Sequence, residues 1–376
     1  VGCRPEPMPV NRALPPIPQA VTRTEAAAVP WLSSEPARAE TVAVGTVYLH
    51  VTRACNLRCS YCYFAASRPL PDEMSGEELT PVWPQLVALR PQKVVFTGGE
   101  PLLRADLLDL MRSLRAADPD HRVLRCLNTN GHLVTPQLAQ QLVGLADEVR
   151  VSLDGLAERN DAQRGPGNFT AALNALECLH ELGFEPKALI TLTSQSLPDL
   201  EDLLCLLAER GITRVNLNTI RLIGRARHNT AWQVDPADVN AATERAWARR
   251  YPQQPPPPAP PAPTAPINCG VGQFLNITPN GDVYPCHVLT HREFCCGNLR
   301  EESLLTICRQ TGPLGRLAAL DVNDLPRKDP GLAAARCDTC LGDIYAATRS
   351  LPIWVDILPH PSGSQAPARS RPHVSK

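Results

Sequence analysis

The chain has no excess of either charge: 37 Lys and Arg face 38 Asp and Glu, for a formal net charge of -1 and a pI of about 6.8. A protein that tracks nucleic acid or an anionic lipid surface normally carries a basic patch, so neither partner is expected. Long apolar runs are missing as well. No stretch of 18 or more apolar residues occurs, and the N-terminal region lacks an apolar segment followed by a cleavage site. Neither a membrane-spanning helix nor a secretory signal is therefore expected. A cytoplasmic location and a small-molecule or peptide substrate are the readings that survive.

Proline, by contrast, is plentiful, 39 residues unevenly placed. Residues 1–44, 252–266 and 351–376 are rich in Pro with Ala, Gln or Ser, and read as disordered or polyproline-like because they lack the apolar content for a core. The middle stretch is a natural linker. It separates a core at 45–232, followed by a connecting helix at 233–251, from a second domain at 267–350.

Between these stretches short β-branched runs alternate with amphipathic ones. Strands are expected at 46–52, 93–96, 122–127, 148–153, 187–193 and 214–218, and helices at 76–89, 102–116, 136–145, 169–182 and 197–210. In the last helix Leu200, Leu203, Leu204 and Leu207 recur at helical spacing. Six βα repeats argue for a parallel sheet with helices outside, since parallel neighbours need crossovers. Periodicity alone fits an open sheet or a curved partial barrel. In both, chemistry belongs at the carboxyl ends of the strands.

The motifs obey that rule. Cys55, Cys59 and Cys62 form C-x3-C-x2-C directly after the first strand. Three thiolates this close can hold three irons of a cubane cluster and leave the fourth open to a small molecule. A structural zinc site would close its tetrahedron with a fourth Cys or His at comparable spacing, and none lies nearby; His50 falls within the expected strand. Disulfide staples are not needed in a chain long enough to bury a core. Gly98-Gly99-Glu100-Pro101 follows the second strand, where the lack of Cβ lets a ligand approach the backbone. Asn128, Asn130 and the run Ser152 to Gly155 end the third and fourth strands, either capping turns or offering short polar partners to a nucleoside.

Past the linker, Cys269 and Cys286 stand in C-x11-G-x4-C, and Cys337 and Cys340 in C-x2-C. Asn280-Gly281 is a hairpin turn signal between short strands, so the hairpin brings Cys269 and Cys286 to its open end. With Cys337 and Cys340 the set suits a zinc ribbon as well as an iron-sulfur cluster. Cys295 and Cys296 read either as substitute ligands at this second site or, the favoured reading, as buried bystanders, and Cys126, Cys178, Cys205 and Cys308 read as core.

The triplet and the Gly-Gly-Glu-Pro element together resemble the radical S-adenosylmethionine (SAM) superfamily, over roughly residues 46–345. The resemblance implies an α/β fold, a (β/α)6 three-quarter barrel. It implies a [4Fe-4S] cluster on Cys55, Cys59 and Cys62 whose open iron chelates the amino and carboxylate groups of SAM. Tyr61 is implied beside the adenine, and Gly98, Gly99, Glu100 and Pro101 at the methionine ammonium. Asn130, Ser152 and Asp154 are implied around the nucleoside, and Arg164 on the SAM carboxylate, which suits its planar donor fork. The second domain resembles the twitch domain, the shortened relative of the SPASM domain. That implies one auxiliary [4Fe-4S] cluster on Cys269, Cys286, Cys337 and Cys340, since residues 341–376 hold no further Cys.

The activity so implied is one-electron cleavage of SAM to methionine and a 5'-deoxyadenosyl radical, fed by a flavodoxin- or ferredoxin-type reductant. An auxiliary cluster that accepts the substrate electron favours net oxidation. The leading expectation is a thioether or carbon-carbon cross-link in a ribosomally made peptide, although residues 1–44 do not read as a leader-binding winged helix. Dehydrogenation of a small alcohol or amino sugar and tetrapyrrole modification are the alternatives. A noncatalytic iron-sulfur carrier would need neither an open iron nor Gly98-Gly99-Glu100.

Overall fold

The computed structural model describes residues 41–253 and 271–319. Six parallel strands form its centre: β1 (Thr46–Thr52), β2 (Lys93–Gly98), β3 (Leu124–Thr129), β4 (Glu148–Ser152), β5 (Lys187–Leu192) and β6 (Arg214–Thr219). Three more follow, β7 (Phe274–Ile277), β8 (Asp282–Tyr284) and β9 (Gly297–Asn298). All nine belong to one sheet, in the order β6-β5-β4-β3-β2-β1-β7-β8-β9. The hairpin after the Pro-rich stretch therefore continues the barrel sheet, with β7 parallel to β1 and Thr46 opposite Phe274.

Alternation divides each strand between two faces. Val47, Leu49 and Val51 of β1, Val94 and Phe96 of β2, and Ala188, Ile190 and Leu192 of β5 are buried on the helix side. Trp83 packs edge-on against Phe96 there, its indole N–H donating to Ser113 Oγ at 2.7 Å. The other face carries Tyr48, His50, Asn128, Arg150, Ser152 and Lys187 together with Val95, Cys126 and Leu189, so the interior of the partial barrel mixes polar and apolar groups. A closed eight-stranded barrel fills this space with packed apolar layers; here β6 is half-buried to exposed along its whole length.

Most strands start and end within two residues of the expected positions. The third begins at Leu124 because Asp118 accepts from the backbone of Arg122 and Val123 and holds both in a loop. The helix expected over 76–89 is three pieces, Gly76–Leu79, a 3-10 turn Thr80–Val82 and Trp83–Leu89. Pro81 and Pro84 remove two of the amide donors that one continuous helix needs. No helix of the described residues is long and apolar enough to cross a membrane.

Candidate functional site

The loop after β1 is held from several sides. Glu73 accepts from Thr52 Oγ1 at 2.8 Å, the Arg53 N–H at 2.7 Å and the Leu70 N–H at 2.9 Å. Cys55 N donates to Ser67 O and Ser67 N to Arg53 O, at 3.0 and 2.9 Å. From beyond β6, Arg225 donates to Cys59 O at 2.7 Å and Ala66 O at 2.9 Å, while its own N–H reaches Cys62 O at 3.0 Å. Cys55, Cys59 and Cys62 are thereby presented on one clamped loop, all three free and half-buried. Burial pushes the Cys55 thiol up to about 11, so it stays protonated until a metal displaces the proton. Among the described residues no three His, Cys, Asp or Glu side chains converge as a single-ion site. Thiolates that each take a different corner of a cubane need no such convergence.

The end of β2 lies against this loop. A Cβ on Gly98 would come within 2.3 Å of Thr52 O, and one on Gly99 within 2.0 Å of Ala54 O. The glycines thus first of all permit the approach of β2 to the backbone of β1, sealed by Gly99 N to Thr52 O at 2.8 Å and Glu100 N to Ala54 O at 2.7 Å. Glu100 is fully buried. Its carboxylate accepts from Thr129 Oγ1 at 2.9 Å, Asn130 N at 2.8 Å and Leu102 N at 3.1 Å, the last capping the 3-10 turn that Pro101 opens. Burial outweighs these donors and lifts Glu100 to about 7. Asn130 joins the third strand end to the Cys loop by donating to Asn56 Oδ1 at 2.7 Å.

A second group closes the site from β4. Arg164 donates to Asp154 Oδ2 at 2.9 Å and to the Tyr61 hydroxyl at 2.5 Å, and the Tyr61 hydroxyl also bonds Asp154. The other oxygen of Asp154 accepts from Thr191 N at 2.8 Å. Tyr61, expected beside an adenine, and Arg164, expected on a carboxylate, are therefore already tied to one buried acid. What stays free is selective. Arg164 Nε, Gln163 Oε1 and Asn128 Oδ1 are buried without a hydrogen-bond partner, and no hydrogen bond to the half-buried Ser152 hydroxyl occurs among the described residues. Unpaired buried polar atoms are costly, and at the carboxyl mouth of a sheet they mark where a polar ligand fits.

In the second half, Cys286 lies two residues beyond β8 and is buried, accepting from Leu289 N at 3.4 Å. Cys269, Cys337 and Cys340 lie outside the described residues. Cys295, half-buried, and Cys296, buried, follow the strand pair in the same cluster of apolar residues as Cys286 and Cys308. Sequence reasoning missed Asn56, Glu73, Gln163 and Arg225. For Arg225 only its place just past a strand end could have pointed to it.

Residues 49–204 match the radical SAM superfamily and residues 269–341 match an iron-sulfur cluster-binding domain, SPASM. The mycofactocin maturase MftC of Mycolicibacterium smegmatis is 30% identical over 319 residues, covering 79% of this chain and 77% of that protein. The chain belongs to the radical SAM superfamily. Equally similar at 30%, an AdoMet-dependent heme synthase of Oleidesulfovibrio alaskensis covers 69% of this chain and 73% of its own. SuiB of Streptococcus suis, solved with its precursor peptide SuiA, shares the fold with a TM-score of 0.62 at 16% identity, over 74% of this chain and 68% of that one. As a radical SAM enzyme, the protein uses a [4Fe-4S] cluster and SAM, and its C-terminal domain adds auxiliary iron-sulfur chemistry. The donor set fits these groups: three free thiols on one clamped loop beside the unpartnered atoms Asn128 Oδ1, Gln163 Oε1 and Arg164 Nε and the Ser152 hydroxyl.

Proposed function

We propose that this radical SAM enzyme oxidatively modifies a peptide, forming a thioether or carbon-carbon cross-link. The observation that carries the reading is the similarity to MftC, a maturase, along most of both chains. The half-buried to exposed strand β6, an edge of the sheet among the described residues, supports it because an extended chain can lie along it.

In this reading Cys55, Cys59 and Cys62 hold the cluster, and Cys269, Cys286, Cys337 and Cys340 one auxiliary cluster. When bound, these groups and SAM, with electrons from a flavodoxin- or ferredoxin-type donor, supply a 5'-deoxyadenosyl radical and a sink for the substrate electron. The chain's own work is to bind and orient. Ser152 and Asn128 offer polar contacts to the nucleoside, and Arg164 Nε a remaining donor for a carboxylate. Asp154 holds Tyr61 and Arg164 in place, while Glu100 braces Asn130 against the Cys loop and keeps acid at the ammonium end. Gly98 and Gly99 keep that wall thin.

The test is anaerobic incubation of the reconstituted chain with SAM, dithionite and a peptide encoded beside its gene. Formation of 5'-deoxyadenosine with loss of two hydrogens from the peptide is expected. A peptide left unchanged while an iron tetrapyrrole is consumed would move the enzyme to the second reading, which the heme synthase similarity favours.

A further inference from the structure

The inner face of the sheet carries a cluster that the SAM site does not use. It lies at the amino ends of the strands. Lys93 opens β2, Glu148 opens β4, Lys187 opens β5 and Arg214 opens β6, with Arg150 one inward position above Glu148. The register sets Arg150 opposite Lys187 and Lys187 opposite Arg214, all on the face away from the helices.

Glu148 is the hub. It accepts from Arg150 Nε, from Lys187 Nζ at 3.0 Å and from Arg214 Nη2 at 2.9 Å. Burial alone would raise its pKa, yet Arg150 and Lys187 hold this carboxyl down at about 2. One anion thus faces four cations. Lys93 has no ion pair among the described residues, and burial and the neighbouring Arg150 guanidinium lower its affinity for a proton. Cys126, to which Arg150 Nη2 donates at 3.8 Å, is kept a neutral thiol by burial. Glu185 lies 3.9 Å from Arg214 at the rim of this cluster, and its side chain is 67% exposed.

An excess of like charge inside a protein is costly unless something neutralises it. This one is within reach of a ligand, because the Arg214 side chain is 32% exposed on the open edge strand, against 9% for Arg150 and 14% for Lys187. Above it the same inner face runs through Asn216, Thr191 and Ser152 to the SAM site. From Glu148 to Ser152 the strand rises about 13 Å, four residues at about 3.3 Å each.

We propose that the barrel floor formed by Lys93, Arg150, Lys187 and Arg214 binds a carboxylate of the peptide substrate, so that the reacting C–H lies about 13 Å above it, near Ser152. The proposal rests on the peptide reading given above and names the substrate group it requires. An acidic side chain or a free carboxyl terminus supplies the same chemistry. Arg150 and Arg214 give the directional donors and the two lysines the point charges.

Calorimetric titration of the reconstituted full chain with glutarate, and with neutral glutaramide, tests it. Glutarate should bind, more weakly as salt rises from low to physiological strength, and glutaramide should not. Lys93→Met removes an unpaired cation, so it should weaken glutarate about tenfold while leaving the ligand-free melting temperature unchanged or raised. Arg214→Gln, at the open edge, is the second variant and should weaken glutarate likewise. Equal glutarate affinity in wild type and both variants overturns the proposal, as does a Lys93→Met protein that melts lower while binding glutarate normally. The two readings fail separately. Glutarate binding without peptide modification keeps the floor and sinks the peptide reading; modification indifferent to amidation of every peptide carboxylate does the reverse.

Discussion

Glu100 provides the sharpest prediction, because a buried acid at about 7 titrates near neutral pH. In the unfolded chain a glutamate titrates near ~4.3–4.5. A carboxyl raised on folding costs stability as it ionises. The penalty is absent below the unfolded value, grows as pH rises, and is complete above the folded one. With 4.5 and 7 as the two constants, unfolding free energy should fall by about 1.3 kcal/mol between pH 6 and pH 8 from this group alone. Glu100→Gln removes that slope. It does so at a cost independent of pH, since the new amide N–H₂ must face one of the donors of Asn130, Leu102 or Thr129 and leaves it unpaired, worth about 1–3 kcal/mol.

Ligand binding should show the opposite sign. A cation seated at Glu100 needs the ionised form, whose population rises from about 9% at pH 6 to about 91% at pH 8. SAM affinity should therefore improve about tenfold over that range in wild type and stay flat in Glu100→Gln, with proton release visible as a buffer-dependent binding heat. The assays are anaerobic urea unfolding and SAM calorimetry on both proteins across pH 6 to 8. Parallel pH profiles for the two proteins would refute the reasoning.

Replacing Cys55, Cys59 and Cys62 together by Ala should abolish 5'-deoxyadenosine formation and lower bound iron without emptying the protein, whereas Cys337→Ala with Cys340→Ala should spare SAM cleavage more than substrate turnover; iron analysis with product chromatography separates the two. Gly99→Ala drives a Cβ to 2.0 Å from Ala54 O and should cost at least the ~1–3 kcal/mol of an overpacked core, read as a lowered melting temperature. Gly183→Ala, where nothing lies within 4 Å, should cost only about 1 kcal/mol, from its positive φ. Asp154→Ala leaves Arg164 buried and unpaired, a loss of about 3–5 kcal/mol; Arg164→Met in the same chain should recover part of it, which a double-mutant cycle measures.

The strands were legible because each is a short β-branched run, and the C-x3-C-x2-C loop after β1 because thiol spacing is local. Other features leave no local trace. The helix Ala157–Arg164, which carries Gln163 and Arg164 to the site, has the sequence AERNDAQR, with no apolar period to detect. It is held by polar contacts: Asp199 accepts from Leu156 N at 2.9 Å and pairs with Arg159 at 2.5 Å, and Asn160 Oδ1 accepts from Asp154 N. Nor could the sequence reveal that Arg164 is spoken for by Asp154, since that pairing depends on how a helix sits over a strand end. The glycines at 98 and 99 were found but for a reason one step removed. Their missing Cβ atoms admit the backbone of β1 before they admit any ligand.

The sheet's order also decides which side each partner approaches. A six-stranded arc has two edges, and the hairpin takes the one at β1, where β7 adds in parallel. That edge already carries the Cys loop, so Tyr63, next to Cys62, and His287, next to Cys286, meet with ring centroids 5.9 Å apart, and Tyr48 touches His287 from β1 at 5.5 Å. The two cysteine-bearing loops thus share one aromatic wall. The opposite edge, β6, pairs only with β5 among the described strands. The proposed substrate, entering there, would meet Arg214 at the floor and Asn218 near the mouth without crossing the wall between the two cysteine loops. Among the described residues no further strand pairs beyond β6, so that edge is left for the proposed substrate while the hairpin takes the edge at β1.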